Sequence, residues 1–190
     1  MGYLPEGAPA WPDMTPRQFL DFVTRIRGLD KAAARSATGQ AVEMTELHGV
    51  LDQPIDTLSK GFRRRVGLAQ AIVHDPDFLI MDEPTDGLDP NQKHQVRAAI
   101  REMARTKAII ISTHILEEVD AICTRAMIID RGRVIVEGTP SELAARSAYH
   151  GAVVVTARSD KAAPLATQLE TLADVRIEHE ARGAETIFRV

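Results

Sequence analysis

A single cysteine, Cys123, stands among 190 residues, so an internal disulfide is excluded, and no Cys and His grouping shows zinc-ligand spacing. A reducing, cytoplasmic setting is the simplest expectation. Long apolar runs are also missing. None exceeds four residues, Ala108 to Ile111 being typical, against the ~20 that a membrane-spanning helix takes. A basic surplus is lacking too: 23 Lys and Arg face 27 Asp and Glu, for a net charge of −4. That balance argues against a nucleic-acid footprint or binding to an anionic membrane surface. Met1 to Asp13 carries Pro5, Glu6, Pro9, Pro12 and Asp13 but neither a basic n-region nor an apolar h-region, so no signal peptide is expected. Hydrophobic residues make up 44% of the chain, enough to bury a core.

Met1 to Met14 reads as an extended loop, after which Thr15 and Pro16 open a helix carrying Phe19, Leu20, Phe22, Val23 and Ile26 and stopped at Gly28. A second, Ala-rich helix is expected from Asp30 to His48. From Leu58 onward helices alternate with short apolar runs. A helix from about Gly61 to His74 precedes the run Phe78 to Met81, and a helix from about Asn91 to Arg105 precedes Ala108 to Ile111. Such uninterrupted runs suit parallel strands buried on both faces. A helix over Ile115 to Cys123 follows, then Ala126 to Ile129 and Val134 to Val136 around the turn residues Arg131 and Gly132. Thr139, Pro140, Ser141 and Glu142 form a capping box with proline at the first helical position. Beyond a boundary placed near His150, Gly151 to Ala157, Ala162 to Ala173, Val175 to Glu178 and Thr186 to Val190 read as a βαββ appendage that is incomplete. The fold class is α/β.

Three segments carry chemistry. In Leu58-Ser59-Lys60-Gly61-Phe62, a hydroxyl and a glycine open a long helix, where free N–H groups suit phosphate oxygens, although Ser59 alone also serves as an ordinary cap. Phe78 to Pro84 places Asp82 and Glu83 at the C-terminal end of a strand, where ligands of parallel sheets bind. One carboxylate there suits a divalent cation and its neighbour a nucleophilic water, yet an acidic turn would look the same. Ile109 to His114 delivers His114 to the same sheet edge. Gly87 to Pro90 reads as a turn or helix entry, and Arg63, Arg64 and Arg65 as a solvated helix turn rather than a nucleic-acid contact.

The order of these segments resembles the ATP-binding-cassette (ABC) ATPase family: signature motif at Leu58 to Phe62, Walker B strand at Phe78 to Pro84, D-loop at Thr85 to Pro90, switch histidine at His114. Gly132 to Thr139 is similar to the stretch that follows the switch region, and Leu-Ser-Lys-Gly-Phe with Arg63 to Gln70 is most similar to ABC-2 type and gliding-motility-type exporters. The resemblance implies a partial P-loop NTPase sheet over residues 1–150, with a helical subdomain over about 13–75 and a small α+β appendage over 151–190. It implies ATP and Mg²⁺ as ligands. Asp82 would support Mg²⁺, Glu83 would act as general base on water, and His114 would polarise the γ-phosphate. Ser59 and Gly61 would contact a γ-phosphate held by a partner subunit, and Asp89 would lie across the dimer seam. Gly2 to Glu6 looks like the Q-loop, with Glu6 where glutamine is usual; Lys60 and Phe62 depart from the commoner Gly and Gln.

No Gly-x-x-x-x-Gly-Lys-Ser/Thr string occurs, so no P-loop cradles phosphates and none of its lysines neutralises them. The resemblance therefore implies a chain cut before the Q-loop, with an unpaired strand edge prone to aggregate. Two functions of different class follow. One is the ATPase subunit of an ABC exporter, peripheral on the inner face of the plasma membrane, with Trp11 to Asp56 docking on permease membrane subunits; Phe19, Phe22 and Trp11 could form part of that contact, though core packing is the more expected use of the two phenylalanines. The other is a non-catalytic module lending its signature face to a complete ABC ATPase, as a mixed dimer or a homodimer. A cassette ATPase acting on DNA or ribosomes is a third option, disfavoured because the sequence shows neither a basic stripe nor a duplicated cassette.

Overall fold

Three short strands aligned in parallel bring three chain segments to one edge. In the computed structural model, which describes residues 1–8, 10–147, 152–171 and 177–189, these are β1 (Gly2–Leu4), β2 (Phe78–Asp82) and β3 (Ala108–Ser112), in the order β1-β2-β3. Leu4 lies opposite Met81, and Asp82 opposite Ser112. The C-terminal ends of all three therefore meet on one side, the side where parallel sheets bind ligands. Gly2 to Leu4 was expected within a loop and is a strand. Three residues are too few to show a period, and the reason lies in packing: a Cβ on Gly2 would run into the Ala71 carbonyl. Leu79 and Met81 are fully buried, but Phe78 is 61% and Ile110 66% exposed. Burial on both faces is thus corrected to one face, because nothing among the described residues covers the side that carries Phe78 and Ile110.

The helices of the first compact unit, Met1–Thr124, start and stop where local chemistry directs. Helix α1 (Pro16–Ile26) opens on a Thr15/Gln18 capping box with Pro16 in its first turn, and buries Phe19, Leu20 and Val23 at helical spacing. Gly28, at φ +76°, takes the left-handed turn that follows it. Helix α2 (Lys31–Thr45) is capped by Asp30, whose carboxylate accepts from Ala32 and Ala33. Helix α3 (Lys60–Ile72) buries nearly its whole circumference, including Val66, Leu68, Ala69 and Ala71. Such encasement is why it reads poorly as amphipathic. Helices α4 (Pro90–Met103) and α5 (Leu116–Ile122) complete the unit. One apolar cluster joins Leu4, Leu20, Leu47, Val66, Leu79, Met81 and Ile100.

The second unit, Arg125–Val190, begins with an antiparallel hairpin of β4 (Ala126–Asp130) and β5 (Arg133–Gly138). Arg131 and Gly132, both at positive φ, form its two-residue turn. The Thr139/Glu142 capping box opens α6 (Pro140–Ala145) as expected. Then β6 (Val154–Arg158), α7 (Ser159–Leu169), β7 (Glu178–Arg182) and β8 (Glu185–Arg189) form a sheet of order β6-β8-β7, with Phe188 buried. This is the βαββ appendage. The boundary near His150, and Gly151, Leu172, Ala173, Val175 and Val190 from the expected elements, lie outside the described residues.

Candidate functional site

The Asp82-Glu83 pair leaves β2 and the chain turns at once. Glu83 has φ +46°, a left-handed conformation that costs a residue with a Cβ about 1–3 kcal/mol unless its surroundings hold it. They do. Its N–H donates to the Ser112 carbonyl of β3 at 3.0 Å, and its own carbonyl accepts from the Asp86 N–H at 3.0 Å. The turn aims the Glu83 carboxylate at the end of β3. There Oε1 accepts from the His114 backbone N–H at 3.1 Å and meets the His114 ring Nδ1 at 2.7 Å. Beside it the Ser112 hydroxyl donates to Asp82 Oδ1. Asp82, Glu83 and His114, predicted from separate strands, are brought together.

The electrostatics follow from this contact. The hydrogen bond from Glu83, and then its charge, raise the pKa of His114 above the ordinary histidine value. The imidazole side chain is 76% exposed while the Glu83 carboxylate is 17% exposed. With Nδ1–H committed to Glu83, Nε2 is left for an incoming group, and the raised pKa favours the doubly protonated ring that can donate to an anion. Glu6 follows β1 on the same edge and is exposed.

One cation organises this edge, and it was expected to be solvated. Arg64 of α3 is only 5% exposed. Its guanidinium donates to the Pro5 carbonyl at 2.8 Å and to the carbonyls of Asp82 and Glu83. The Pro5, Asp82 and Glu83 positions are thus stapled by one side chain. Burial lowers the pKa of Arg64, and the charges of Asp86, Asp82, Glu6 and Glu83 oppose that, in that order. Arg65 is also buried, 3.3 Å from Glu46, 2.6 Å from Gln95 and over the Phe62 ring. The solvated-turn expectation survives for Arg63 alone. A sequence signal existed: Arg64 shares its helical face with Leu68, Ala71 and Ile72, at spacings of four, seven and eight.

Ser59, Gly61 and Asp89 gather elsewhere, where α3 and α4 begin. Ser59 Oγ caps α3 by accepting from the Phe62 N–H at 3.3 Å, and Asp89 caps α4 by accepting from the Gln92 N–H at 2.9 Å. Gly61 sits against the Gln92 amide, where a Cβ would collide. Lys60 reaches Asp86 at 2.7 Å and lies over Gly87, whose φ is +70°. That pairing lowers the pKa of Asp86. The two patches are therefore adjoined through Thr85 to Asp89.

Asp82 and Ser112 offer oxygen donors side by side, the chemistry that suits a hard cation such as Mg²⁺ bound largely through water, while among the described residues no group of three or more His, Cys, Asp or Glu side chains is placed to hold a metal ion. For a triphosphate the fit is partial, since the chain has no Gly-x-x-x-x-Gly-Lys-Ser/Thr string.

An apolar groove apart from the sheet edge is lined by Trp11, Phe19, Phe22, Val23 and Ile26. The Trp11 ring meets Phe22 and Phe19 edge-on, at 4.9 and 5.9 Å between centroids, and is 53% exposed. Among the described residues no helix is long and apolar enough to cross a membrane.

Residues 1–86 match the family model described as ABC transporter. Two solved structures share the architecture. One is an ATP-binding subunit of an ABC transporter, with TM-score 0.68, 27% identity, 76% of this chain and 61% of that one covered. The other is cbiO1 from Clostridium perfringens, part of the ABC transporter complex cbiONQ, with TM-score 0.69, 26% identity, and 90% and 67% covered. The chain has the ABC ATPase fold. Curated relatives of the chain include the Nod factor export ATP-binding protein I of Burkholderia orbicola (strain AU 1054), 35% identical over 189 residues, which is 99% of this chain and 60% of that protein. The uncharacterized ABC transporter ATP-binding protein YxlF of Bacillus subtilis (strain 168) is 36% identical over 143 residues, 75% of this chain and 48% of that protein. The chain thus spans about half to three fifths of the length of these relatives. Together the similarities support an ABC transporter ATP-binding domain.

Proposed function

We propose that this chain serves as the ATP-binding and ATP-hydrolysing subunit of an ABC exporter of the ABC-2 or gliding-motility type, coupling hydrolysis to export through separate membrane subunits. The observation that carries the reading is the Glu83 carboxylate held against His114 at the mouth of a parallel sheet, beside Asp82. In this role Asp82 and Ser112, with Glu6, support Mg²⁺, which screens the phosphate charge. Glu83 takes the proton of the attacking water, and His114, whose pKa the Glu83 contact raises, donates from Nε2 to the γ-phosphate in its doubly protonated form. Ser59 and Gly61 face the γ-phosphate held by a second subunit, either another copy or a complete ABC ATPase, and Asp89 lies at that seam. The Trp11, Phe19 and Phe22 groove takes an apolar helix of the permease, which holds the subunit at the inner face of the plasma membrane. Trp11, half-exposed beside the partly buried Phe22, suits such a contact, while Phe19 is buried beneath them in the core. The export direction follows the printed name of the Nod factor relatives; the negative net charge disfavours nucleic acid.

A second reading rests on the separate patch of Ser59, Gly61 and Asp89 where α3 and α4 begin: the chain acts as a signature donor to a complete partner without holding ATP itself. Phosphate release by the chain copurified with its membrane partners separates the two. Release that falls by about 10²–10⁴ in Glu83→Gln supports the first reading. Release indifferent to Glu83→Gln overturns it. Release seen only after a complete ABC ATPase is added, and weakened by Ser59→Ala in this chain, supports the second.

A further inference from the structure

The mechanism above leaves one fully buried carboxylate unused. Glu118, in the first turn of α5, has no exposed surface. A charge so placed is expensive unless partners replace its water. Its partners are telling. Thr85 Oγ1, two residues beyond Glu83, donates to Glu118 Oε1. Thr113 Oγ1, immediately before His114, donates to Glu118 Oε2 at 3.2 Å. Each hydroxyl belongs to one of the two loops that deliver the paired side chains, and Glu118 is the piece between them. Lys93 and Arg97 of α4 supply the compensating charge, each 3.9 Å from Oε1.

We propose that Glu118 is a positioning residue that clamps the Thr85 and Thr113 loops together, so that Glu83 and His114 meet. The inference takes from the proposed function only the importance of the Glu83–His114 contact. Thr113 is the hinge of the clamp. Its hydroxyl lies within reach of both carboxylates, 3.2 Å from Glu118 and 3.4 Å from Glu83 Oε2, and accepts from the Ile115 N–H at 3.2 Å. A hydroxyl has one proton, and the shorter contact assigns it to Glu118. Thr113 is then fixed by its donated bond on one side and its accepted bond on the other, and His114 is the next residue along. Without Glu118 the loop after β3 keeps its strand register and its direct bonds to Glu83 but loses the tie through Thr85 that orients them.

Nuclear magnetic resonance on the whole 190-residue chain tests this without ATP, and so independently of the proposed function. The ring-nitrogen signals of His114, assigned with His114→Gln, report the Nδ1 contact at fixed pH, and exchange of the His114 backbone N–H reports its bond to Glu83. In Glu118→Ala the bonded Nδ1 signature is lost and exchange quickens by about tenfold. In Glu118→Gln both are largely kept, since the amide still bridges two hydroxyls. An unchanged His114 in folded Glu118→Ala overturns the proposal, as does a Gln variant that loses as much as Ala, because charge acting at a distance then suffices. Should the Ala variant not fold, Thr85→Val decides: it leaves Glu118 and Thr113 in place, so faster exchange supports the clamp and unchanged exchange refutes it.

Discussion

Replacing Arg64 with methionine removes the staple between the Pro5 segment and the Asp82-Glu83 turn while keeping the apolar length of the side chain. Three carbonyls, those of Pro5, Asp82 and Glu83, lose a charged donor, and the Pro84 carbonyl loses a longer contact at 3.5 Å. A hydrogen bond from a charged group is worth about 1.5–3 kcal/mol, and a buried carbonyl left unsatisfied costs about 1–3 kcal/mol. These do not add, because the three share one guanidinium and the loop relaxes together. The relief of burying a cation at 5% exposure offsets part of the loss. The expected net cost is about 3–4 kcal/mol, a large share of the 5–15 kcal/mol typical of a domain. Urea unfolding read by circular dichroism measures it as a midpoint shift of about 1.5–2 M at a slope near 2 kcal/mol/M. Arg64→Lys keeps the charge but not the fork, so it reaches one carbonyl and loses about 2 kcal/mol. A cost under about 1 kcal/mol for Arg64→Met, or a lysine variant as stable as the parent, would refute the staple.

His114 titrates above the ordinary histidine value of about 6.5, and Glu83→Gln brings it back down, as followed by imidazole proton shifts against pH. Because the folded pKa is the raised one, the stabilisation from this contact is complete below the unfolded pKa and disappears as pH rises through the folded pKa; an opposite slope contradicts the geometry. Gly61→Ala displaces the Gln92 amide from the α4 cap, a loss of about 1 kcal/mol, but improves helix propensity by about the same amount. Thermal stability is therefore nearly unchanged, and a fall in phosphate release without a fall in melting temperature assigns Gly61 to the ligand rather than to the fold.

Much of the fold was legible because several helices announce themselves. Thr15 with Gln18, Asp30, and Thr139 with Glu142 are caps whose chemistry is local, and the structure places a helix after each. The same locality made Asp82, Glu83 and His114 readable, since each ends a strand and parallel strands share an edge. What was not legible is tertiary. Gly2 to Leu4 is a strand only because β2 lies beside it. Arg64, Arg65 and Glu118 carry charges whose burial depends on carbonyls, hydroxyls and counter-charges 5 to 59 residues away in sequence. Composition assigns such residues to the surface, and apart from the helical spacing of Arg64 with Leu68, Ala71 and Ile72 only the neighbours reverse that. Burial on both sheet faces failed for a related reason, because the apolar run describes the strand and not what covers it.

Helix α3 explains why the two patches belong to one device. Its first turn carries Ser59, Lys60 and Gly61, which touch the start of α3 itself, Asp86 and Gln92; its second turn carries Arg64, which holds the strand ends. From residue 60 to residue 64 the helix rises about 6 Å, and a rod so encased moves as a unit. Arg64 joins the helix to the Glu83 carbonyl, and Lys60 joins its start to Asp86. Both meet in the turn that aims the Glu83 carboxylate. That turn is in a left-handed conformation, which the backbone bonds of Glu83 to Ser112 and Asp86 hold together with Arg64. The helix start and the turn that aims the carboxylate are thus joined by short, directional bonds.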